Sequence, residues 1–366
     1  MREDNLYWML ALQSISGVGS ITAGRLLDKF KTPQKIFGAD AGSLEEVLNK
    51  RALNGFKNYD PKRDTNLKRE IEKIEESKAR AITILDEDYP ENLSEIVDAP
   101  IILYIMGEII KTDELAVGIV GTRRPTRYGI DQSRRFSQYL VKQGVTIVSG
   151  MAMGIDGNAQ DAAIRAGGRT IAVLGCGVDV VYPSINAKLY REIIQNGAVV
   201  SEYPLGTKAD PKNFPPRNRI VSGLSKAVLI VEGRKRSGAL ITADYAATQG
   251  RDVYAIPGHI DRPNSAAPNS LIRDGAIPAL EPKDVIASLK IEAMEENSRK
   301  QSQEKAISLT GISKKIYDAM DFEGVTVDNM AKKADLDIRT ILGILTELEM
   351  KDIVKRLPGS KYARNV

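Results

Sequence analysis

The chain has very little of the two side chains on which most metal and nucleophile chemistry depends. Its 366 residues include one cysteine, Cys176, and one histidine, His259. A disulfide within the chain is therefore impossible, and a zinc site built from Cys and His would lack ligands. A Ser-His-Asp or Cys-His arrangement would have to use His259 alone. This inventory excludes most hydrolase mechanisms that rely on imidazole.

Long hydrophobic runs and a strong charge of one sign are also absent. No apolar run approaches the roughly 20 residues that span a bilayer, and the first residues, Met1 to Asp4, lack the basic-then-apolar pattern of a signal peptide. We therefore expect a cytoplasmic protein with no membrane partner. The 52 basic and 48 acidic residues give a net charge of +4. That excess does not identify a nucleic-acid partner, because the positions of Arg and Lys decide the matter.

The middle of the chain, residues 79–290, alternates apolar runs with helix-length segments. The runs are rich in β-branched residues; six of them are AVGIVG (116–121), VTIVSG (145–150), RTIAVLG (169–175), GAVVSE (197–202), AVLIVEG (227–233) and RDVYAIPG (251–258). Such runs are typical of strands buried on both faces. We predict an α/β domain with a Rossmann-like, mostly parallel sheet, whose ligands bind at the carboxyl ends of the strands.

Two other segments flank this domain. Residues 1–78 have apolar side chains at helical spacing, which predicts a helical domain of the helix-hairpin-helix or SAM-like type. Residues 291–305 form a charged linker without a core pattern. Residues 306–366 contain three helical patterns and then a strand, a Pro-Gly turn and a strand. That order predicts a winged-helix-like domain.

Arginines and glycines collect where the predicted strands end. The turn after the first regular strand contains Gly121, Thr122, Arg123, Arg124 and Arg127. Guanidinium groups match phosphate oxygens, and the start of the next helix adds its dipole. The alternative is a basic surface loop. The next strand leads into SGMAMGID (149–156), where Ser149, Gly150, Met151 and Gly154 are candidates for close approach of the backbone to a phosphate. A purely structural turn is the alternative there.

Two further stretches contribute cations to the same edge. In DPKNFPPRNRIVSGLS (210–225), which we interpret as a loop held by its prolines, Lys212, Arg217 and Arg219 surround Phe214. An exposed ring among cations suits a single strand, because the base stacks while the cations bind phosphates; a buried Phe214 is the alternative. The stretch EGRKRSGALITADYA (232–246) places the basic run Arg234, Lys235 and Arg236 next to Ser237 and Gly238. Four such turns at one edge predict a basic crevice.

The N-terminal segment offers a possible second contact with DNA. Gly17 and Gly19 lie between two apolar helical patterns, as in the hairpin of a helix-hairpin-helix motif. There, glycines let the backbone approach a phosphate. The alternative is a turn between two packing helices.

Several of these stretches together resemble the DNA-processing protein DprA (Smf) family. They are GIVGTRRPTRYG, SGMAMGIDGNAQDAA, GCGVDVVYP, SEYPLG, FPPRNRIVSGLS, RSGALITADYA and AIPG. The resemblance implies single-stranded DNA binding, homodimerisation through the α/β domain and loading of the RecA recombinase during natural transformation. By motif, it places the contacting positions at Gly121, Thr122, Arg123, Ser149, Gly150, Phe214, Arg217, Asn218 and Arg219.

Two other functions compete with this interpretation. A nucleoside-monophosphate phosphoribohydrolase needs a Gly-Gly-x-Gly-Thr-x-x-Glu loop, but Tyr245 occupies the glutamate position here. A helix-turn-helix regulator would read DNA with DIRTILGILTELEMK, which offers one Arg and two Glu. We also expect no metal or nucleotide cofactor, because a ligand cluster and a P-loop are missing. The sequence thus favours a protein that binds DNA without catalysis.

Overall fold

We analysed a computed structural model of the chain, which describes residues 2–287, 289, 309, 311–321, 324–350, 353–357 and 361–364. The chain forms two compact units, Met1–Ile286 and Ala287–Val366. The predicted linker at 291–305 lies outside the described residues. Within them, no helix has the length and apolar character that crossing a membrane requires.

The first unit is built around a nine-stranded sheet. Its strands are β1 (Arg80–Thr83), β2 (Ile102–Gly107), β3 (Ala116–Val120), β4 (Thr146–Ser149), β5 (Thr170–Val173), β6 (Gly197–Ser201), β7 (Ala227–Ile230), β8 (Asp252–Ala255) and β9 (Ile277–Pro278). Their order is β1-β2-β6-β5-β4-β3-β7-β8-β9. The pairs β1–β2 and β2–β6 are antiparallel, and every other pair is parallel. The predicted mostly parallel α/β sheet is confirmed.

Apolar side chains cover both faces of this sheet. Successive residues of a strand point to opposite faces, and β2 illustrates the result. Ile102 and Tyr104 belong to one buried cluster, whereas Leu103 and Ile105 belong to the other. A strand that faces two cores needs apolar side chains on both of its faces, which explains the long apolar runs in the sequence. The few polar residues in these strands, such as Ser149, are buried with the hydroxyl hydrogen-bonded.

Thirteen helices of the first unit pack around the sheet or precede it. They are α1 (Arg2–Ser14), α2 (Ser20–Phe30), α3 (Pro33–Phe37), α4 (Ala41–Glu45), α5 (Lys50–Lys57), α6 (Thr65–Glu76), α7 (Glu91–Ser94), α8 (Arg127–Lys142), α9 (Ile155–Arg165), α10 (Ala187–Asn196), α11 (Phe214–Gly223), α12 (Gly238–Thr248) and α13 (Ala266–Arg273). Residues 282–287 are also helical. The helices expected between the strands are therefore present.

Helix α11 corrects one expectation. The stretch 210–225 was predicted to be a loop fixed by prolines, but it contains a helical turn at Pro211–Asn213 followed by α11. Pro215 and Pro216 lie in the first turn of α11, where backbone N–H groups have no partner within the helix. Proline costs little at that position, so the prolines begin a helix here.

The N-terminal helices share a core with the sheet. Leu12 and Leu26 belong to the same buried cluster as Ile102 and Val199 of the sheet. Glu70 of α6 accepts a hydrogen bond from the Leu205 backbone N–H at 2.8 Å. The predicted boundary near residue 78 falls between α6 and β1, yet both parts belong to one compact unit.

The second unit has the winged-helix layout. Its helices are Gly311–Asp318, Val327–Ala334 and Ile338–Met350, and its strands are β10 (Val325–Thr326), β11 (Val354–Leu357) and β12 (Lys361–Arg364) in the order β10-β12-β11. Ile316, Met330 and Leu345 pack in its core. The predicted helices and strands are confirmed, whereas the predicted Pro-Gly turn lies outside the described residues.

Candidate functional site

A cleft opens where the order of the strands reverses. The chain moves from β3 outward through β4, β5 and β6, and β7 then pairs with the other side of β3. In open α/β sheets, ligands bind outside the carboxyl ends of the strands at such a reversal. The cleft has a volume of about 540 Å³, and its walls come from the turns after β3, β4 and β7 and from the starts of α11 and α12.

A buried glutamate fixes the arginine-rich turn after β3. Glu232 is 3% exposed and accepts hydrogen bonds from the Thr126 backbone N–H at 2.9 Å and from the Thr126 hydroxyl at 2.5 Å. Its own backbone oxygen accepts a bond from the Thr122 N–H at 2.7 Å. The backbone of the turn is thus held on one side, while the Arg123 and Arg124 side chains remain exposed. Fixed backbone with free guanidinium groups suits the binding of anions.

A carboxylate lies buried in the wall of the cleft. Asp156, the second residue of α9, accepts a hydrogen bond from the Gly150 backbone N–H at 3.2 Å, and the backbone N–H groups of Gly121 and Ala152 also act to lower the pKa of its carboxyl. Burial raises the pKa of the Asp156 carboxyl, and the charge of Arg217 opposes that shift. Backbone N–H groups that converge from several turns form a nest for an anion. In this chain, the protein's own carboxylate fills that nest.

Arg217 lies beside this carboxylate and holds the turn after β4 and the end of β5 in place. Its guanidinium is 5% exposed and donates hydrogen bonds to the backbone oxygens of Gly150, at 3.0 Å, and of Val173. Burial lowers the pKa of Arg217, whereas the carboxylate of Asp156 raises it. Arg217 therefore acts as a structural cation of the cleft wall.

Phe214 is half-buried between the core and the cleft. A Cβ atom on Gly175 would lie 2.9 Å from its ring, and the Tyr182 ring lies 5.4 Å away between centroids. The Arg123 guanidinium lies 5.5 Å from the centroid of Phe214. The sequence favoured an exposed ring because burial beside three cations would desolvate one of them. That reasoning fails, because Arg217 and Arg219 are themselves buried and paired.

Ten of the seventeen candidate residues at this edge line the cleft. They are Gly121, Thr122, Arg123, Arg124, Gly150, Phe214, Arg217, Asn218, Ser237 and Gly238. Four parts of the sequence are thus brought together as expected.

Six candidates lie outside the lining for different reasons. Ser149 and Met151 are buried, and the Ser149 hydroxyl donates to the Ile119 oxygen at 2.6 Å. Gly154, with φ of +89°, packs against the backbone of the arginine-rich turn. The remaining three are exposed: Arg127, paired with Asp131; Lys212, paired with Asp210; and Arg236.

The seventh candidate residue outside the lining is Arg219, whose side chain does not reach the cleft. Its guanidinium binds Glu202 at 2.6 and 2.7 Å, and Asp98 at 3.1 Å. Residues two positions apart on an α-helix are separated by about 200° of rotation around its axis. Arg217 and Arg219 therefore point to nearly opposite sides of α11. This corrects the expectation that both contact phosphate, which rested on the loop interpretation.

Tyr182 and Asp156 line the cleft but were missed by the sequence analysis, which named Arg234 only as part of a basic run. Arg234 belongs to the same basic run as Arg236, and its guanidinium donates to Asn264 at 3.4 Å. Tyr182 precedes Pro183 in a stretch that carries the family resemblance. Asp156 could not be identified, because its burial depends on turns distant in sequence. Among the described residues, no group of three His, Cys, Asp or Glu could hold a metal ion.

The two glycines of the N-terminal hairpin have different surroundings. Gly17 has φ of +88°, and a Cβ there would lie 2.9 Å from the Ala52 backbone nitrogen, so it packs against α5. Gly19 has open space around its Cα and immediately precedes α2. Only Gly19 is free to approach a ligand, and contact with DNA stays a prediction.

Comparison with known proteins agrees with this architecture. The family described as DNA recombination-mediator protein A matches residues 80–290, and the DprA winged helix domain matches residues 300–360. Protein Smf of Synechocystis is 34% identical and covers 99% of both chains. Protein Smf of Escherichia coli K12 is 38% identical over 80% of this chain and 79% of its own length.

Two solved structures resemble the chain at more than 30% identity. DNA processing protein A of Streptococcus pneumoniae has a TM-score of 0.65 and 33% identity, covering 76% of this chain and 95% of its own. The protein of the same name from Helicobacter pylori, described by its single-stranded DNA binding mode, has a TM-score of 0.53 and 31% identity, covering 59% and 97%. The chain belongs to the DNA recombination-mediator protein A family, the DNA-processing proteins called DprA or Smf.

Proposed function

We propose that the chain binds single-stranded DNA in the cleft without chemically changing it. The observation that carries this proposal is the position of Arg123 beside Phe214, 5.5 Å from the ring centroid, in an open cleft of about 540 Å³. A cation for the phosphate then lies next to a ring on which a base can stack. Bases of a duplex are already stacked on one another, so this pair of groups favours a single strand.

The remaining contacts are assigned to two walls. Thr122, Arg123, Arg124 and Gly150 would bind one stretch of backbone. Arg234, Ser237, Gly238 and Asn218 would bind from the other wall, where the start of α12 contributes its dipole. The single-stranded DNA binding mode named for the Helicobacter pylori relative supports this assignment.

The composition of the cleft supports a non-catalytic function. Among the residues that line it, Asp156 is the only carboxylate, and its charge faces Arg217. This carboxylate is 7% exposed and accepts a hydrogen bond from the Gly150 N–H, so it offers little surface from which to reach a proton of a substrate. Tyr245, which replaces the glutamate of the phosphoribohydrolase pattern, is not among the lining residues. We infer that no cofactor takes part.

We further propose that the protein is a homodimer that loads RecA onto the bound strand during natural transformation. Loading rests on the family to which the chain belongs. Dimerisation has additional support, since β9 is an open edge of the sheet with Ile277 and Leu280 exposed beside it. Strand β8 pairs with β9 and is therefore not itself an edge of the sheet.

The proposal is tested by measuring affinity for single- and double-stranded DNA of the same sequence at two salt concentrations. We expect tighter binding of the single strand and a loss of affinity at the higher salt, because phosphate contacts release counterions. Equal affinity for both forms, or binding insensitive to salt, would contradict it. A chelator should leave the affinity unchanged, and a requirement for a metal or for ATP would refute the non-catalytic, cofactor-free part.

A further inference from the structure

Helix α8 carries a one-sided charge on its outer surface. Phe136 and Leu140 of α8 are buried. Its exposed positions carry four cations, Arg127, Arg134, Arg135 and Lys142, but only one acid, Asp131. Other helices are balanced by comparison: on the surface of α9, Asp161 pairs with Arg165, and α6 has three cations and four glutamates. The excess on α8 is therefore a property of this element and not of the whole surface.

These cations border an open groove of about 530 Å³. Arg134, Arg135 and Lys142 lie on one side, together with Asp131, which pairs with Arg127. The Tyr139 side chain on the same side is 37% exposed. Residues 281–283 form the other side, where Lys283 and Glu281 pair at 2.7 Å. Within the part of the chain that the structure describes, no carboxylate pairs with Arg134, Arg135 or Lys142. Cations left without counterions beside an exposed ring match the chemistry of a nucleic-acid strand.

The groove begins near the cleft. Helix α8 starts three residues after Arg124, so the arginine-rich turn leads directly into it. Positions 127, 131, 134, 135, 138 and 142 fall on one side of a helix with 3.6 residues per turn. Sixteen residues at 1.5 Å per residue extend about 24 Å from the cleft. A strand that leaves the cleft on this side would pass several cations in succession.

We propose that the outer face of α8 is a second binding surface for single-stranded DNA, which holds the backbone of strands too long for the cleft alone. Arg134, Arg135 and Lys142 bind phosphates, and Tyr139 offers a ring to an unstacked base. The proposal rests on the proposed function of the cleft. The two proposals predict different results, because short strands occupy only the cleft and only long strands also reach α8.

The test compares two lengths of strand on the full-length protein. The double variant Arg134→Ser, Arg135→Ser is titrated with an oligonucleotide of about 6 nucleotides, enough for the cleft, and with one of about 25 nucleotides. Affinity for the long strand should fall about tenfold at low salt. The slope of log affinity against log salt should shrink by about 1.4, since each phosphate contact on a single strand contributes about 0.7. Affinity for the short strand should not change.

The matched control removes the same two charges elsewhere. Lys68→Ser, Arg69→Ser changes two adjacent exposed cations of α6 and should leave both affinities unchanged. An equal loss in the control would mean that net charge alone acts, and no length-dependent loss in the α8 variant would mean that the strand avoids this face. Either result overturns the inference. If the wild-type protein fails to bind either strand, the proposed function of the cleft itself is wrong.

Discussion

Arg123 and Arg219 lie at opposite extremes of exposure among the arginines near the cleft. Arg123 is exposed beside Phe214, whereas Arg219 is 5% exposed and bound to two carboxylates. An exposed cation contributes little to folding, but a buried one leaves its partners uncompensated when it is removed. The two residues should therefore separate binding from stability.

Replacing Arg123 with Ala should weaken binding of a single strand by about 1–3 kcal/mol, the range for a charge-assisted contact. The free energy of unfolding should change by less than about 0.5 kcal/mol. Fluorescence titration of the folded variant checks the first value, and urea unfolding checks the second. Arg191→Ala, an exposed cation on α10, serves as the control. Unchanged affinity in Arg123→Ala would remove Arg123 from the site.

Replacing Arg219 with Leu should have the opposite result. The carboxylates of Glu202 and Asp98 would lose their cation, which costs about 3–5 kcal/mol of unfolding free energy. Affinity per folded molecule should remain at the wild-type value, because the side chain does not reach the cleft. Denaturant unfolding beside a binding titration measures both quantities. A variant that folds normally but binds poorly would restore Arg219 to the phosphate site.

Phe214 combines packing with exposure to the cleft, and two substitutions separate these contributions. Phe214→Leu keeps most of the side-chain volume against Gly175 but removes the aromatic face. We expect it to cost under about 1.5 kcal/mol of stability but about 1–3 kcal/mol of affinity. Phe214→Ala should lose the same affinity and more stability. If Phe214→Leu binds as tightly as the wild type, the ring does not stack on a base.

At the scale of elements, the turn before α9 packs against the arginine-rich turn after β3. Gly154 precedes α9, and a Cβ at this position would lie 2.8 Å from the backbone carbonyl carbon of Arg123. Gly144 also has a positive φ, +82°, but nothing lies within 4 Å of its Cβ position. The two glycines share a positive φ and differ in what surrounds the Cβ position.

This pair gives a matched experiment. Gly144→Ala should lose about 1–2 kcal/mol of stability from its positive φ alone. Gly154→Ala should lose more, because its methyl group also overlaps the backbone of the arginine-rich turn. Gly154→Ala should also lose affinity, because its methyl group displaces the arginine-rich turn. Thermal unfolding and strand titration of both variants measure these effects. Equal affinities in the two variants would show that the position of the turn does not depend on Gly154.

The elements also show what the sequence can and cannot reveal. Runs such as AVGIVG identified β3 nearly to the residue, because a strand between two cores is apolar on both faces. Helix α11 was missed because two consecutive prolines are common in loops. In the structure, Pro215 and Pro216 occupy the first turn of this helix. That error placed Arg217 and Arg219 together. Asp156 escaped notice for a different reason: the turns that contain Gly121 and Gly150 come together around it only after β3 and β4 have paired.

At the scale of the molecule, the shared core of the N-terminal helices and the sheet determines how association must be measured. A fragment that began at residue 81 would expose Ile102 and Val199, which pack in the cluster that includes Leu12 and Leu26. Such a fragment would associate through its exposed core. Self-association must therefore be measured on the full chain.

We expect the full chain to sediment as a dimer at tens of micromolar, with β9 edges paired around a two-fold axis. Ile277→Lys combined with Leu280→Asp should give a monomer, because both exposed apolar side chains would become charged. Val97→Asp, at a side chain that is 86% exposed elsewhere on the surface, is the control. A wild-type monomer, or a dimer that survives the double substitution, would exclude this edge.

The carboxylate of Asp156 has a consequence for competition inside a cell. A lone phosphate ion that enters the cleft finds the Gly150 backbone N–H already bonded to the Asp156 carboxyl. The ion can then bind only to the exposed side chains of the cleft, and a single contact of this kind is weak in water. A polymer engages several of those side chains together, so each further contact is formed at a high effective concentration. Discrimination between a strand and the pool of small phosphorylated metabolites then depends on valency, and the cleft needs no lid to achieve it.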